Sequence, residues 1–534
     1  MRIGLIIIML LFGVSCSSQD TPQNVESTPP PVEVSRLVKA KDKVFLEVDG
    51  VPFPVYGAQI RLDALINCDK LGWEQIERYF ARGKELGVNC LQVPIWWNAI
   101  EPRENDFDFS VVQKVLEYAH RYDIRLELLW FSTNMIGDSF SYLVPQYILK
   151  EPSRRLLRND EGNFWGYYGY LYALILHDRY VLDREKNAVT RLLSFVRQWD
   201  LENGEKHPVI AVQVHNEPDG LVRWRMDQKA YKYRSGEALS KHAAWKMTLE
   251  ALNEVGLAVK NSPYKVATRT NLISGNGTAP YPQAPEARPG DVLALEGIDL
   301  VSFDPYMNTV NQVAAEVAAY GALPGNYPLI AENKGVYPNT TSLMLATSAL
   351  GGGYNIYDLA TSKYFIANTN DPEGIDHGVL TADLEDKPHT ASVRKLLKGF
   401  TAAGSEIAVT PTDNFAVFNV TTDFPETAKV QKIRTTGVEI SFTTRAGAQG
   451  FALDRGSYLL VYMTAPATLV LSNASVEKVV AGTYSPEGKF TEDAAHAAQT
   501  GQTLNLEGGV LYKINYTSQG PLSSTTRKHI GTLF

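Results

Sequence analysis

Cysteine is nearly missing from this chain of 534 residues, with only Cys16, Cys68 and Cys90 present. So few thiols exclude a disulfide framework, and Cys90, which opens an apolar run, reads as a small core hydrophobe. Metal-ligand spacing is missing as well. The nine histidines form no His-x-x-x-His pair or Cys/His cluster, and no Gly-rich phosphate loop occurs, so nothing calls for a metal or a cofactor. No basic cluster interrupts a net charge of -8, which argues against nucleic acid, because phosphate binding needs concentrated Lys and Arg. The apolar run Ile3 to Phe12 is too short for a membrane-spanning helix.

With 44% hydrophobic and 21% charged residues, the composition is that of a soluble globular protein with room for two domains. Aromatics are plentiful, at 8 Trp, 27 Tyr and 20 Phe, and many fall near predicted strand ends, where a flat apolar face with a polar tip suits a sugar ring. At the N-terminus, Arg2 and the apolar run lead into Gly13-Val14-Ser15-Cys16, a secretory signal pattern. Its small residues before a Cys resemble the lipobox of bacterial lipoproteins. That resemblance implies a signal peptide over residues 1–16 and lipidation of Cys16, hence a secreted, membrane-anchored protein of the outer membrane or periplasm if the cell is Gram-negative. An ordinary signal peptide cleaved nearby is the alternative. The Ser-, Pro- and Gln-rich residues 17–35 are expected to form a flexible tether.

Within a barrel domain expected over residues 36–404, the chain from about Val55 to Gly404 alternates short apolar runs with amphipathic stretches, the pattern of βα units. Eight strands are predicted: Val55 to Ile60, Asn89 to Ile95, Arg125 to Phe131, Val209 to Glu217, Tyr264 to Asn271, Leu300 to Tyr306, Pro328 to Lys334 and Gly353 to Ala360. Helical patterns lie between most of them, as at Trp73 to Leu86, Ser110 to Tyr122, Glu185 to Leu201 and Gly236 to Val259. The expected fold is therefore an α/β (β/α)₈ TIM barrel. A long insertion after the third strand carries Phe164-Trp165-Gly166-Tyr167-Tyr168-Gly169-Tyr170, either a substrate wall or a loop packed on itself. Over 405–534 short alternating strands between Gly, Asp and Asn turns predict an all-β sandwich, most simply a structural appendage.

Two strands end in a carboxylate. Val209 to Val214 runs into His215-Asn216-Glu217-Pro218, and Pro328 to Ala331 runs into Glu332-Asn333. The C-terminal ends of barrel strands open onto the active site, so Glu217 and Glu332 are placed for chemistry. A pair of carboxylates facing each other at about 5–5.5 Å is what retaining glycoside hydrolysis needs. Asp304 and Asp358 also lie near strand ends, with Asp304 suited to fixing its loop before Pro305. His215 is expected to point away from the site.

Asn216-Glu217-Pro218 and Ala331-Glu332-Asn333, each after a buried strand, resemble clan A glycoside hydrolases. Trp97-Asn98-Ala99-Ile100-Glu101-Pro102 with Phe107-Asp108-Phe109-Ser110 is similar to the family 35 and family 42 β-galactosidases, while Asn-Glu-Pro itself is closer to family 5 cellulases and mannanases. The resemblance implies Glu217 as acid/base and Glu332 as nucleophile, with Asn216 bonding the sugar 2-hydroxyl and Tyr306 donating to Glu332. It places Trp97, Asn98, Glu101 and Trp130 around the sugar, and Tyr354, Asn355 and Tyr357 where an aromatic platform would stand. For Trp97, Trp130 and Tyr354 core packing is the equal alternative, and for Glu101 a capped turn. The substrate implied is a carbohydrate cleaved by an exo-acting β-galactosidase-like enzyme. A family 5-like endo-β-glucanase or mannanase and a non-catalytic surface glycan-binding protein are the two rivals.

Overall fold

The computed structural model describes residues 30–40, 42–132, 142–150, 158–159, 174, 178–222, 231–232, 238–275, 279–282, 285–368, 376–418, 430–444, 447–496 and 501–519. Cys16 with its signal pattern, the tether up to residue 29 and the aromatic segment 164–170 lie outside them.

Eight parallel strands form the barrel: β1 (Tyr56–Gln59), β2 (Cys90–Trp96), β3 (Arg125–Phe131), β4 (Val209–Val214), β5 (Ala267–Gly275), β6 (Leu300–Asp304), β7 (Leu329–Lys334) and β8 (Gly353–Tyr357). They pair in sequence order, β8 returns to β1, and pairing of β5 with β4 closes the ring. Every residue of β2 and β4 is buried, which is why these strands read as unbroken apolar runs rather than alternating ones. A short antiparallel strand, Ala279–Pro282, extends the outer end of β5.

The longer helices are α1 (Trp73–Leu86), α2 (Ser110–Tyr122), α3 (Arg179–Glu202), α4 (Lys241–Lys260), α5 (Val310–Gly321), α6 (Thr340–Ala349) and α7 (Thr390–Ala403). Helix α1 begins where the Gln75 side chain accepts from the Gly72 N–H at 3.0 Å and stops at Gly87, whose φ of 97° suits only a residue without a Cβ. Its buried face is Ile76, Tyr79, Phe80 and Leu86. Helix α3 starts before the predicted Glu185, because Asp178 accepts from the N–H groups of Tyr180 and Val181. Helix α4 starts later than the predicted Gly236. Ser240 caps it, and Ala238–Leu239 instead pairs with Tyr231–Lys232 as a small antiparallel strand.

Order also begins earlier than the tether predicted to residue 35. Val32–Glu33 pairs in parallel with Tyr264–Lys265, and Ser35–Lys39 joins Val44–Val48 and Val51–Phe53 in a three-stranded sheet. The Ser35 hydroxyl donates to the Ile210 carbonyl at 2.5 Å, and its oxygen accepts from the Ala267 N–H at 2.9 Å. A serine in a polar-looking segment is thus pinned to two barrel strands.

The C-terminal region is β-rich, with one six-stranded and one four-stranded antiparallel sheet. Phe442, Leu469 and Leu471 of the smaller sheet share a cluster with Phe418, Leu459, Val461 and Ile514 of the larger. The larger sheet turns Phe451, Leu460, Tyr462 and Leu511 the other way, into the barrel's core with Phe400 of α7. Gly399 makes the close approach possible, since a Cβ there would lie 2.4 Å from the Tyr462 ring. Strand Ala467–Ser472 alternates buried with half-buried residues, as a one-sided sheet requires, whereas Gly450–Asp454 is buried throughout.

Candidate active site

The mouth of the barrel is built from strand ends whose backbone departs from regular β geometry. After β4 the chain turns through two left-handed residues, His215 at φ 58° and Glu217 at φ 44°, and after β6 through Tyr306 at φ 48°. Each such non-glycine residue costs about 1–3 kcal/mol, which the packed surroundings must offset. In β7 the register against β8 slips between Ile330 and Asn333, a bulge that contains Glu332 and re-aims its side chain. These departures also explain why β4 ends at Val214 and β6 at Asp304, short of their predicted ends at Glu217 and Tyr306.

Glu332, 5% exposed, receives two hydrogen bonds. The Gln59 amide at the end of β1 donates to its Oε1 at 2.8 Å, and the Tyr306 hydroxyl donates to its Oε2. Burial pushes the Glu332 carboxyl above its ordinary value, the negative charge of Glu217 pushes it further, and the Tyr306 and Gln59 donors oppose both. Asp304, fully buried on β6, is a third carboxyl in the cluster. Burial raises it well above the usual carboxylate range, and the charges of Glu332 and Glu217 add to the effect, against the pull of Arg269 and Asn271. Asp304 is therefore biased toward its neutral form.

Beneath the carboxyls the barrel interior is polar. Arg269 of β5 is ion-paired with Glu127 of β3 and donates to the Ser302 hydroxyl at 3.0 Å, while Gln92 of β2 donates to Glu127 at 2.8 Å. Every one of these partners is buried and hydrogen-bonded, as charges removed from water must be. Beside the cluster, Arg61 is bound by both oxygens of Asp63, at 3.0 and 2.9 Å, and lies over the rings of Phe131 and Phe365.

Of the residues expected around a sugar, Asn216, Glu217, Tyr306 and Glu332 come together through these contacts and through Asn271. The Asn271 side chain joins Asn216, Asp304 and the Glu217 backbone. Five others, Trp97, Glu101, Trp130, Tyr354 and Asn355, are packed into the wall instead. Residues Trp97–Ile100 form a helical turn, and the fully buried Trp97 donates its ring N–H to Glu101 at 3.1 Å. Glu101 also accepts from the Tyr147 hydroxyl at 2.7 Å and pairs with Arg184. Trp130, 1% exposed, donates to Glu185 of α3 at 2.9 Å, and Glu185 also meets His215 at 2.9 Å, so His215 faces the helices. Tyr354 is 1% exposed and Asn355 donates to the Ile330 carbonyl at 3.3 Å, while the half-buried Tyr357 stands edge-on to the Tyr306 ring at 5.9 Å. Asn98 is half-buried. A ring at a strand end satisfies a sugar and a neighbouring carboxylate equally well, and the sequence pattern does not separate the two.

Gln59 and Asn271 carry no assigned role in the sequence reading, although Gln59 ends β1 and Asn271 ends the predicted fifth strand, which in the structure starts at Ala267 and runs on to Gly275. That placement was the available signal. Among the described residues no group of three or more His, Cys, Asp or Glu side chains is arranged to hold a metal ion, and no helix is long and apolar enough to cross a membrane. A surface cavity of about 160 Å³, lined by Asp69, Arg78, Tyr79, Lys363 and Asp383 among others, shares no residue with the carboxyl cluster.

Two family models match the chain. One, described as beta-galactosidase, covers residues 67–239 and so includes Glu217; the other, a domain of unknown function (DUF4978), covers 247–425 and includes Asn271, Asp304 and Glu332. Neither reaches half of the chain. No curated protein matches. Among solved structures, the chain is similar to the cold-adapted β-galactosidase of Rahnella sp. R3 at 13% identity and a TM-score of 0.49, covering 67% of this chain and 57% of that one. The β-galactosidase of the psychrophilic Marinomonas ef1 gives 10% identity and a TM-score of 0.48, with 67% and 62% covered. That of the haloarchaeon Halorubrum lacusprofundi gives 11% and 0.46, with 86% and 98% covered. The chain thus spans less than two thirds of the Rahnella and Marinomonas enzymes. The barrel and the match over residues 67–239 support a glycoside-hydrolase-like enzyme distantly related to such carbohydrate-active families.

Proposed function

We propose that this protein is a retaining glycoside hydrolase acting on β-linked glycans, with Glu217 as acid/base and Glu332 as nucleophile. The observation that carries the reading is the placement of two buried carboxyls at the exits of β4 and β7, with two hydrogen-bond donors aimed at Glu332. Two adjacent buried carboxylates cannot both ionise cheaply, so the pair holds one proton near neutral pH. Donation from Tyr306 and Gln59 favours the anion on Glu332, the form a nucleophile needs, against the upward push of burial and of Glu217.

Catalysis then follows in two steps. Glu217 gives its proton to the glycosidic oxygen as Glu332 attacks the anomeric carbon, the leaving group departs, and a glycosyl ester forms on Glu332. Glu217, now ionised, takes a proton from water, which attacks the same carbon and releases Glu332. Asn216 donates to the sugar 2-hydroxyl, a bond that strengthens in the transition state. Tyr357, edge-on to Tyr306, offers an aromatic surface beside the pair. The similarity over residues 67–239 favours an exo-acting, β-galactosidase-like specificity. Cys16, in its lipobox-like setting, would anchor the enzyme to a membrane, and the C-terminal sheets, read as a sandwich, would brace the barrel.

Turnover of a panel of nitrophenyl β-glycosides and natural β-glycans by the wild type, with the anomer of the first product recorded, tests this. Retention of the β-anomer is expected. Cleavage of nothing in the panel, with Glu332→Ala and Glu217→Ala binding glycan as tightly as the wild type, would sink the hydrolase reading in favour of a binding protein.

A further inference from the structure

Asn271 stands at the centre of the carboxyl cluster without touching the reacting atoms assigned above. It is fully buried at the middle of β5, opposite Ser302 of β6. Its Oδ1 accepts from the Glu217 N–H at 3.1 Å. Its Nδ2 donates to Asn216 Oδ1 at 3.1 Å and to Asp304 Oδ2 at 2.7 Å.

The orientation of this amide follows from chemistry. A backbone N–H only donates, so the Asn271 atom facing Glu217 is the oxygen, and the nitrogen must face Asn216 and Asp304. The Asn216 atom that meets this nitrogen is then an acceptor, its Oδ1. Gln213 of β4 donates to that oxygen too, at 2.9 Å. With Oδ1 turned toward Gln213 and Asn271, the Asn216 Nδ2 faces the other way. The same residue holds the N–H of a glutamate whose φ of 44° is sparsely populated.

We infer that Asn271 is a positioning residue, which presents the Asn216 amide nitrogen to the 2-hydroxyl of the sugar and holds the backbone turn that aims Glu217. The inference rests on the hydrolase reading. Asp304 completes the device. Its Oδ2 accepts from the same Asn271 nitrogen as Asn216 does, so the amide cannot rotate without giving up two acceptors at once.

The test uses a matched pair of substrates, a nitrophenyl β-galactoside and its 2-deoxy analogue, with wild type, Asn271→Ala and Asn271→Ser. The wild type should favour the hydroxylated substrate by roughly 10³-fold in kcat/KM, because the 2-hydroxyl contact forms in the transition state. In both variants the preference should fall to roughly tenfold, since an Asn216 that is no longer locked gains little from the hydroxyl. The ratio is read on folded enzyme alone, so loss of part of the sample does not move it, and Asn271→Ser covers the case in which the alanine variant does not accumulate. A preference unchanged within about threefold, with activity lowered on both substrates alike, would make Asn271 merely structural and overturn the inference. A wild type that cleaves neither substrate fails the β-galactosidase-like specificity instead, and the hydrolase reading fails only if the whole panel is left uncleaved. Positioning is then read by titration calorimetry with galactose and 2-deoxygalactose, where wild type must favour galactose and Asn271→Ala must not; equal discrimination by both overturns it.

Discussion

The barrel mouth and the C-terminal sheets bury their side chains to similar depth and spend that burial differently. Between the two C-terminal sheets the shared cluster is Phe418, Ile440, Phe442, Leu459, Leu469 and their apolar neighbours, and Asp454 is satisfied by Thr435 and by Tyr516 at 2.6 Å. At the mouth, Glu332, Asp304 and Glu217 are buried beside one another, and three non-glycine residues adopt left-handed backbone. The first region follows the rules that make a fold stable. The second breaks them at several points in one place, which is the expected mark of a site maintained for chemistry.

That contrast is open to attack from both sides, and the largest expected effect is at Glu332. Glu332→Gln should lower kcat by about 10⁴-fold or more with an unchanged circular dichroism spectrum, and Glu217→Gln by about 10²–10⁴-fold on substrates that need leaving-group protonation. Removing the phenol in Tyr306→Phe should cost about 10–100-fold. It should also move the acid limb of the kcat/KM profile upward, because the lost donor favours the anionic form of Glu332. A limb that stays put would detach Tyr306 from the nucleophile.

The C-terminal region should respond in the opposite manner. Leu469→Ala, in the cluster between the sheets, should cost about 2–5 kcal/mol in denaturant unfolding while kcat per folded molecule stays unchanged.

Stability and activity should part company at the mouth as well. The Glu332 carboxyl is raised on folding, so its favourable contribution is full below the unfolded value of 4.5 and is lost as pH rises through the folded value. Above that window the ionised group weakens the fold, and Glu332→Gln should raise Tm at pH 7 by roughly 1–3 °C, a gain that vanishes in acid. The smallest effect belongs to Asp304→Asn. If Asp304 is neutral, the amide replaces it with kcat within about threefold and limbs unmoved, whereas loss of an ionised neighbour would shift both limbs down.

Most barrel strands were legible because strands buried on both faces are nearly continuous in their apolarity, and the chemistry was legible because Glu217 and Glu332 end two such runs; the fifth, rich in Thr, Arg and Asn, was placed too early, at Tyr264 rather than Ala267. What escaped was whatever depends on contact between strands. The bulge at Glu332 is a register slip between β7 and β8, and Asn271 gains its importance from Asn216 and Asp304 on two other strands. Trp97 and Trp130 illustrate the converse. Their position suggests a sugar platform, yet their ring N–H groups are taken by Glu101 and Glu185, partners distant in kind from any substrate. The strand at Val32–Glu33 was hidden by a Pro- and Ser-rich composition that is read as tether, and only its docking on Tyr264–Lys265 makes it a strand.

The central claim is that Glu332 is the nucleophile of the pair, and the most direct test is to trap it. Wild-type enzyme incubated with 2-deoxy-2-fluoro β-glycosides that carry a good leaving group should gain the mass of one fluoroglycosyl unit, and peptide mapping should find it on Glu332. Turnover of ordinary glycosides without any trapped adduct, or an adduct on Asp304 in place of Glu332, would contradict the assignment.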